Sequence, residues 1–434
     1  MELGLNAIWV MLGAILVIFM QSGFVLLEAG STRMKNAGHI AGKTIFTLGI
    51  VSLVFWAVGY ALIFGSQGNS LIGWGDYFGF DMKNVPDGSP VAPTVMFIFQ
   101  LAFAAISMAV AFGGFAERAK LSAYLIFAIF FSIIVYPVIA HWVWGGGWLA
   151  EHGKQDFAGS TVVHLTGAMA ALAATILLKP RLGKYNKNGT PNDIPGHNQV
   201  FTTLGVMLLW VGWFGFNASS TITVGDGSFF GFVAINTQLG AAAGAVAALL
   251  IAWAVNGKAD ISVMLNGALA GLVAITASCA FVDSWAAIVI GLIAGVVVFA
   301  SMRFFEKLRI DDPIYALSAH GTAGVWGTLS NGFFATPELV EKVGIGKPGL
   351  LYGGGFEQLG VQAMGVVVCG AFAFVISYVI LAIIEAVIGL RVTEEEETIG
   401  LDLSEHGSYG YPEHLKAGAG ASANAKATPI HPSA

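Results

Sequence analysis

Apolar runs of about twenty residues, each closed by a short polar or glycine-rich break, recur along most of the chain. They fall at 5–29, 40–65, 94–115, 121–142, 158–178, 199–218, 228–255, 260–281, 284–303, 314–335 and 356–390. About 20 apolar residues is the length of helix that crosses the hydrocarbon core of a bilayer. The pattern predicts an all-α polytopic membrane protein with about eleven transmembrane helices. The last run is long enough to tilt or to overhang the bilayer. From about 391 the chain turns polar, first acidic (TEEEE) and then small and uncharged (AGAGASANAKATP). The last fifteen or so residues are expected to be disordered.

Composition agrees with this reading. Of 434 residues 56% are hydrophobic and 11% charged, with a mean hydropathy of +0.75. A soluble domain needs far more polar surface than that. The 57 glycines suit close helix approach, and GAAAG at 240–244, GALAG at 267–271 and GLIAG at 291–295 have the small-xxx-small form. Such patterns arise by chance in a glycine-rich chain, so they carry little weight here. Cys279 and Cys369 both lie in apolar runs and read as small core residues rather than a disulfide or metal pair. The first residues, MELGLNAIWVMLG, lack a basic leader and read as part of the first span.

The basic residues orient the spans. With the N-terminus outside, sixteen fall on one side: Arg33, Lys35, Lys43, Arg118, Lys120, Lys179, Arg181, Lys184, Lys187, Lys258, Arg303, Lys307, Arg309, Arg391, Lys416 and Lys426. Only Lys83, Lys154, Lys342 and Lys347 fall on the other. Positive charge stays inside, so the N-terminus is expected outside and the C-terminus in the cytoplasm.

A repeat runs through the pattern. Asp156 stands eight residues before His164 in DFAGSTVVH, and Asp312 eight residues before His320 in DPIYALSAH. Each aspartate opens a span, the fifth and the tenth, and each histidine lies about two turns inside. Five spans separate the copies, an odd number, so the second copy is inverted with respect to the first. Inverted repeats meet around a site near the bilayer midplane. His164 and His320 are therefore expected to pair there. A lone histidine among helices is often only a hydrogen-bonding partner, but two at matching depth point to function. Asp156 has two readings, a helix cap or a functional acid; Asp312, beside Asp311, reads as a cap.

HWVWGGGWL (141–149), DFAGSTVVH (156–164), WVGWFGFNASS (210–220), DDPIYALSAHG (311–321) and GLDLSEHGSYGY (400–411) carry a resemblance. Together they look like the ammonium transporter (Amt/Mep/Rh) family, on its bacterial or archaeal Amt branch. The resemblance spans nearly the whole chain. It departs from the family at Ser160, where a glycine is usual, and in HGSYGY near the end. It implies pseudo-twofold halves at about 5–180 and 199–336, a final helix at 356–390, and a cytoplasmic regulatory tail at 391–434.

The resemblance also implies roles. Trp144, Ser220 and Phe103 would form the outer ammonium recruitment site, with Asp156 as a nearby acid. Phe103 and Phe216 would stack as the gate. His164 and His320 would be the twin pore histidines, and Phe99 and Thr276 would line the vestibule and pore. The family is homotrimeric, sits in the plasma (inner) membrane, and meets trimeric PII-type signalling proteins through its tail. It implies no enzyme activity, cofactor or nucleic acid partner, and no GxxxxGK loop for nucleotides appears.

These residue types suit ammonium. An indole face attracts a cation, and a serine hydroxyl accepts one of its hydrogen bonds. Most tryptophans near span ends are interface anchors, and 31 phenylalanines fill membrane cores here, so only the motif context singles out Trp144, Phe103 and Phe216. A bare cation is costly to bury in a narrow apolar pore. Losing a proton removes that cost, and potassium has none to lose. Three rivals stand beside this reading: an ammonium sensor, a neutral gas channel for ammonia or carbon dioxide, and a metal transporter or membrane enzyme, which would need three or four converging ligands.

Overall fold

A computed structural model of the chain describes residues 1–79, 85 and 88–412. Among the described residues the chain is mainly helical, with one two-residue hairpin pairing Gln67–Gly68 with Gly73–Trp74. Among the described residues nine helices are long and apolar enough to cross a membrane. They are α1 (Glu2–Ser31), α2 (Met34–Phe64), α3 (Pro93–Phe112), α4 (Leu121–Glu151), α5 (Ser160–Leu178), α6 (Gln199–Thr221), α7 (Ser228–Asn256), α9 (Ser284–Lys307) and α11 (Glu357–Ile388). The other two expected spans are helical but shorter. The run at 260–281 forms a helix only over Ile261–Thr276 (α8) and finishes in turns. The run at 314–335 gives a π turn, Leu317–Thr322, that continues as the helix Ala323–Phe334 (α10). At 1.5 Å per residue α11 is about 48 Å long and outreaches a hydrocarbon core of about 30 Å.

The three glycine patterns prove to be one device. Gly240 and Gly244 of α7 face Gly267 and Gly271 of α8 on one side and Gly291 and Gly295 of α9 on the other. A methyl group added at Gly244, Gly271, Gly291 or Gly295 would run into a main-chain carbonyl of the neighbouring helix. Main chain meets main chain there, which corrects the small weight given to these patterns in the sequence.

The loops expected to share one side gather at one end of the bundle. Glu117, between α3 and α4, accepts Arg33 Nε at 3.1 Å and Arg181 Nη1 at 2.6 Å. Arg181 also bonds Asp311 at 2.8 Å. Burial pushes the Glu117 carboxyl up, but Arg181 and Arg33 outweigh it and hold the group down at about 2. Asp311 is likewise held at about 2 against its burial, chiefly by its bonds to Arg181. A buried ion network of this kind is satisfied only when every loop is in place.

The tail closes this end. Helix α12 (Glu394–Ile399) opens on a capping box between Thr393 and Glu396, and α13 (Leu401–His406) follows. Asp402 accepts the main-chain N–H of Gly38 at 3.1 Å and of His39 at 2.6 Å, near the start of α2. Arg391 bonds Glu397 at 2.7 Å. The tail is thus ordered as far as it is described; Lys83, Lys416, Lys426 and the stretch expected to be disordered lie outside the described residues.

Candidate functional site

Among the described residues five helices contain a π turn: Phe55–Gly59, Phe131–Val135, Ser160–Leu165, Phe214–Ala218 and Leu317–Thr322. One extra residue per turn widens a helix locally and re-aims its side chains, and such turns concentrate at functional sites. Three of the five carry His164, Phe216 and His320. These three residues meet in the bundle interior.

Each histidine turn is opened by its aspartate. The Asp156 carboxylate accepts the N–H groups of Gly159 at 3.1 Å and of Thr161 and Val162 at 3.0 Å. The Asp312 carboxylate accepts those of Ala316 at 3.0 Å and Leu317 at 2.7 Å. Both satisfy helix N–H groups that lack intrahelical partners. Gly159, at φ +115°, has a backbone that other residues rarely adopt; a Cβ there would also stand 3.1 Å from the Trp144 ring.

The histidines meet through Nδ1, 3.2 Å apart, with ring planes 17° from parallel. One Nδ1 must carry a proton and the other must not. His164 is fully buried, and its Nε2 has no hydrogen-bond partner among the described residues. Its ring stacks on Phe216 at 5.5 Å and on Trp213 at 5.2 Å. Phe216 in turn packs against Phe103, with centroids 4.2 Å apart. Phe103 meets Trp144 edge to face at 5.8 Å and Phe99 at 4.8 Å. The order is therefore Trp144, Phe103, Phe216, His164, His320.

Above Phe103 lies a cavity of about 830 Å³, bordered by Phe99, Phe103, Trp144, Asp156, Ser220 and Phe229 among others. The Ser220 hydroxyl donates to the Phe216 carbonyl at 2.8 Å, which leaves its lone pairs as acceptors. Trp144 donates its indole N–H to the Asp156 carbonyl at 2.8 Å, which fixes the ring.

Two sequence expectations take a different form here. Thr276 does not border the cavity; it accepts the indole N–H of Trp213 at 2.8 Å and donates to Leu272 O at 2.7 Å, behind the histidine stack. Asp156 reaches the site mainly through its carbonyl, while its carboxylate caps the turn and faces Lys154 Nζ at 3.8 Å. Sequence reading also passed over Trp213, whose motif was quoted but whose ring was given no role. Among the described residues no three His, Cys, Asp or Glu side chains gather to hold a metal ion.

Comparison with known proteins identifies the family. Residues 8–411 match the model of the Ammonium Transporter Family. The chain is 42% identical to ammonium transporter Amt2 of Archaeoglobus fulgidus, over 95% of this chain and 89% of that protein. It is 37% identical to the ammonium transporter of Bacillus subtilis, over 96% of this chain and all of that one. Among solved structures it superposes on a sensor Amt protein with a TM-score of 0.87 at 38% identity, covering 93% of this chain and 99% of the other. It superposes on Candida albicans Mep2 with a TM-score of 0.85 at 28% identity, covering 94% of this chain and 90% of the other. The chain belongs to the ammonium transporter family, whose members carry ammonium through membranes and are not enzymes.

Proposed function

We propose that this chain captures ammonium in the 830 Å³ cavity, deprotonates it near the phenylalanine gate, and passes ammonia and a proton separately along the histidine pair. The cavity opens to the outside, with the N-terminus outside and the tail in the cytoplasm of a cell whose plasma (inner) membrane holds the protein. Trp144 supplies the cation-binding face, Ser220 an acceptor, and Phe99 an apolar wall. Phe103 and Phe216 exclude water and hydrated ions. His164 and His320 hold ammonia and relay the proton, with Thr276 steadying Trp213 behind them.

The observation that carries this reading is the unbroken contact from the cavity through Phe103 and Phe216 to His164. Charge cannot follow that route cheaply as a bare cation, because burying an unpaired charge costs many kcal/mol. Neutral ammonia can. Two neutral imidazoles sharing one proton offer both a donor and an acceptor, which suits ammonia and a proton in turn.

The membrane part, 1–390, acts as two pseudo-twofold halves, about 5–180 and 199–336, closed by the helix at 356–390. Three copies assemble, each with its own pore, and the tail from 391 receives a PII-type signalling protein. The family resemblance and the docking of Asp402 on α2 support these assignments.

The test is an ammonium-evoked current in proteoliposomes, with potassium as the control. A saturable current for ammonium and none for potassium is expected. Ammonium binding without current would move the reading to a sensor, which the likeness to a sensor Amt protein favours, or to a neutral gas channel.

A further inference from the structure

A lysine beside a cavity that captures cations is unexpected on electrostatic grounds, yet Lys154 is built into this one. Lys154 is one of the residues bordering the cavity, and its side chain is sealed between helices with no exposure. The aliphatic stem lies in a groove on α11 made by Gly365, where an added Cβ would stand 2.6 Å from Lys154 Cδ. Its Nζ donates to the Thr161 hydroxyl at 3.0 Å, and that hydroxyl meets Thr328 of α10 at 2.6 Å. The same Nζ stands 3.8 Å from the Asp156 carboxylate. Asp156 is the residue whose carbonyl holds the Trp144 ring.

An unopposed carboxylate at that place would attract every monovalent cation alike, because charge attraction does not distinguish potassium from ammonium. The aromatic face, the hydrogen-bond acceptors and proton loss do distinguish them. We propose that Lys154 is a specificity-determining residue: its fixed charge cancels Asp156 in the cavity wall, so that cation capture depends on Trp144 and hydrogen bonding rather than on net charge. The lysine cannot be displaced by a soluble cation, because its stem is locked in the Gly365 groove. The proposal rests on the reading of the cavity as the capture site.

The experiment compares Lys154→Gln, Lys154→Arg and the double variant Lys154→Gln/Asp156→Asn with the parent. Each is purified whole, titrated calorimetrically with ammonium chloride and potassium chloride, and reconstituted for currents. Lys154→Gln is expected to bind ammonium about tenfold more tightly and to become competitively inhibited by potassium. Lys154→Arg keeps the charge and is expected to match the parent. The double variant restores neutrality and is expected to lose the potassium inhibition. Should Lys154→Gln alone fail to fold, Asp156→Asn, which leaves the lysine charge unopposed, is expected to bind ammonium more weakly than the parent, and unchanged binding there would overturn the proposal. Overturning results are a Lys154→Gln protein as insensitive to potassium as the parent, an arginine variant as altered as the glutamine one, or a double variant that stays potassium-sensitive. A purely structural lysine would lower the melting temperature and leave cation preference unmoved. If the parent carries no ammonium current, the transport reading falls while the binding titrations still judge Lys154.

Discussion

His164 and His320 face each other through the same ring atom, Nδ1, at 3.2 Å. The contact admits one shared proton, so the pair is asymmetric at any instant although its two halves are matched. Replacing either histidine by alanine removes the partner that defines the other's tautomer. Each variant is expected to lose the ammonium current at least about tenfold, a typical lower bound for removing a positioned proton-transfer group. Reconstituted currents check this, and full current and selectivity in both variants would refute the relay.

Phe216 sits between Phe103 and His164 with no exposure. Phe216→Ala opens a void between the cavity and the histidines. Water permeability of proteoliposomes, read by light scattering after an osmotic step, is expected to rise above that of the parent, and melting temperature to fall by the equivalent of about 3–5 kcal/mol.

Trp144 is half-exposed to the cavity and anchored through its indole N–H. Trp144→Leu keeps an apolar wall and removes the aromatic face. A cation–π contact contributes ~0.5–2 kcal/mol, so the half-saturating ammonium concentration is expected to rise about 2- to 30-fold. An unchanged value in the current assay would place capture elsewhere.

Gly244 lies against the main chain of α8, where its Cβ would meet the Gly267 carbonyl. Gly244→Val forces α7 and α8 apart and is expected to destabilise the protein by about 1–3 kcal/mol, seen as a lower melting temperature in detergent.

Glu117 and Asp311 are held at about 2, below their ordinary values of 4.5 and 3.8. Groups lowered in this way contribute stability that is complete above the ordinary values and is lost as pH falls toward the folded ones. Asp312, raised to about 6 by burial, works in the opposite sense as pH falls from 6 to 3.8 and is level below that. Melting temperature is therefore expected to drop between about pH 4 and pH 2, and Glu117→Gln to flatten part of that drop.

Much of this was legible in the sequence. Span length and the side preference of lysine and arginine read out the helices, because lipid imposes both. The Asp-to-His spacing recurs, so the histidine pair could be inferred before any contact was seen. The π turns could not, since nothing local in STVVHL or LSAHGT distinguishes a wide turn from an ordinary one. The glycine patterns were undervalued because their force comes from three helices meeting, which no single segment encodes. Lys154 read as an ordinary loop charge. Its significance depends on Gly365 in α11 and Thr328 in α10, both distant in the chain.

The contact of Asp402 with the N–H groups of Gly38 and His39 has a bearing on how the protein is made. A ribosome releases residues 38 and 39 more than three hundred and fifty residues before residue 402. Glu117 can fasten Arg33 early, but the N–H groups of Gly38 and His39 wait through the insertion of the later helices for the carboxylate that accepts them. The join between them records that the helices between these residues have been made.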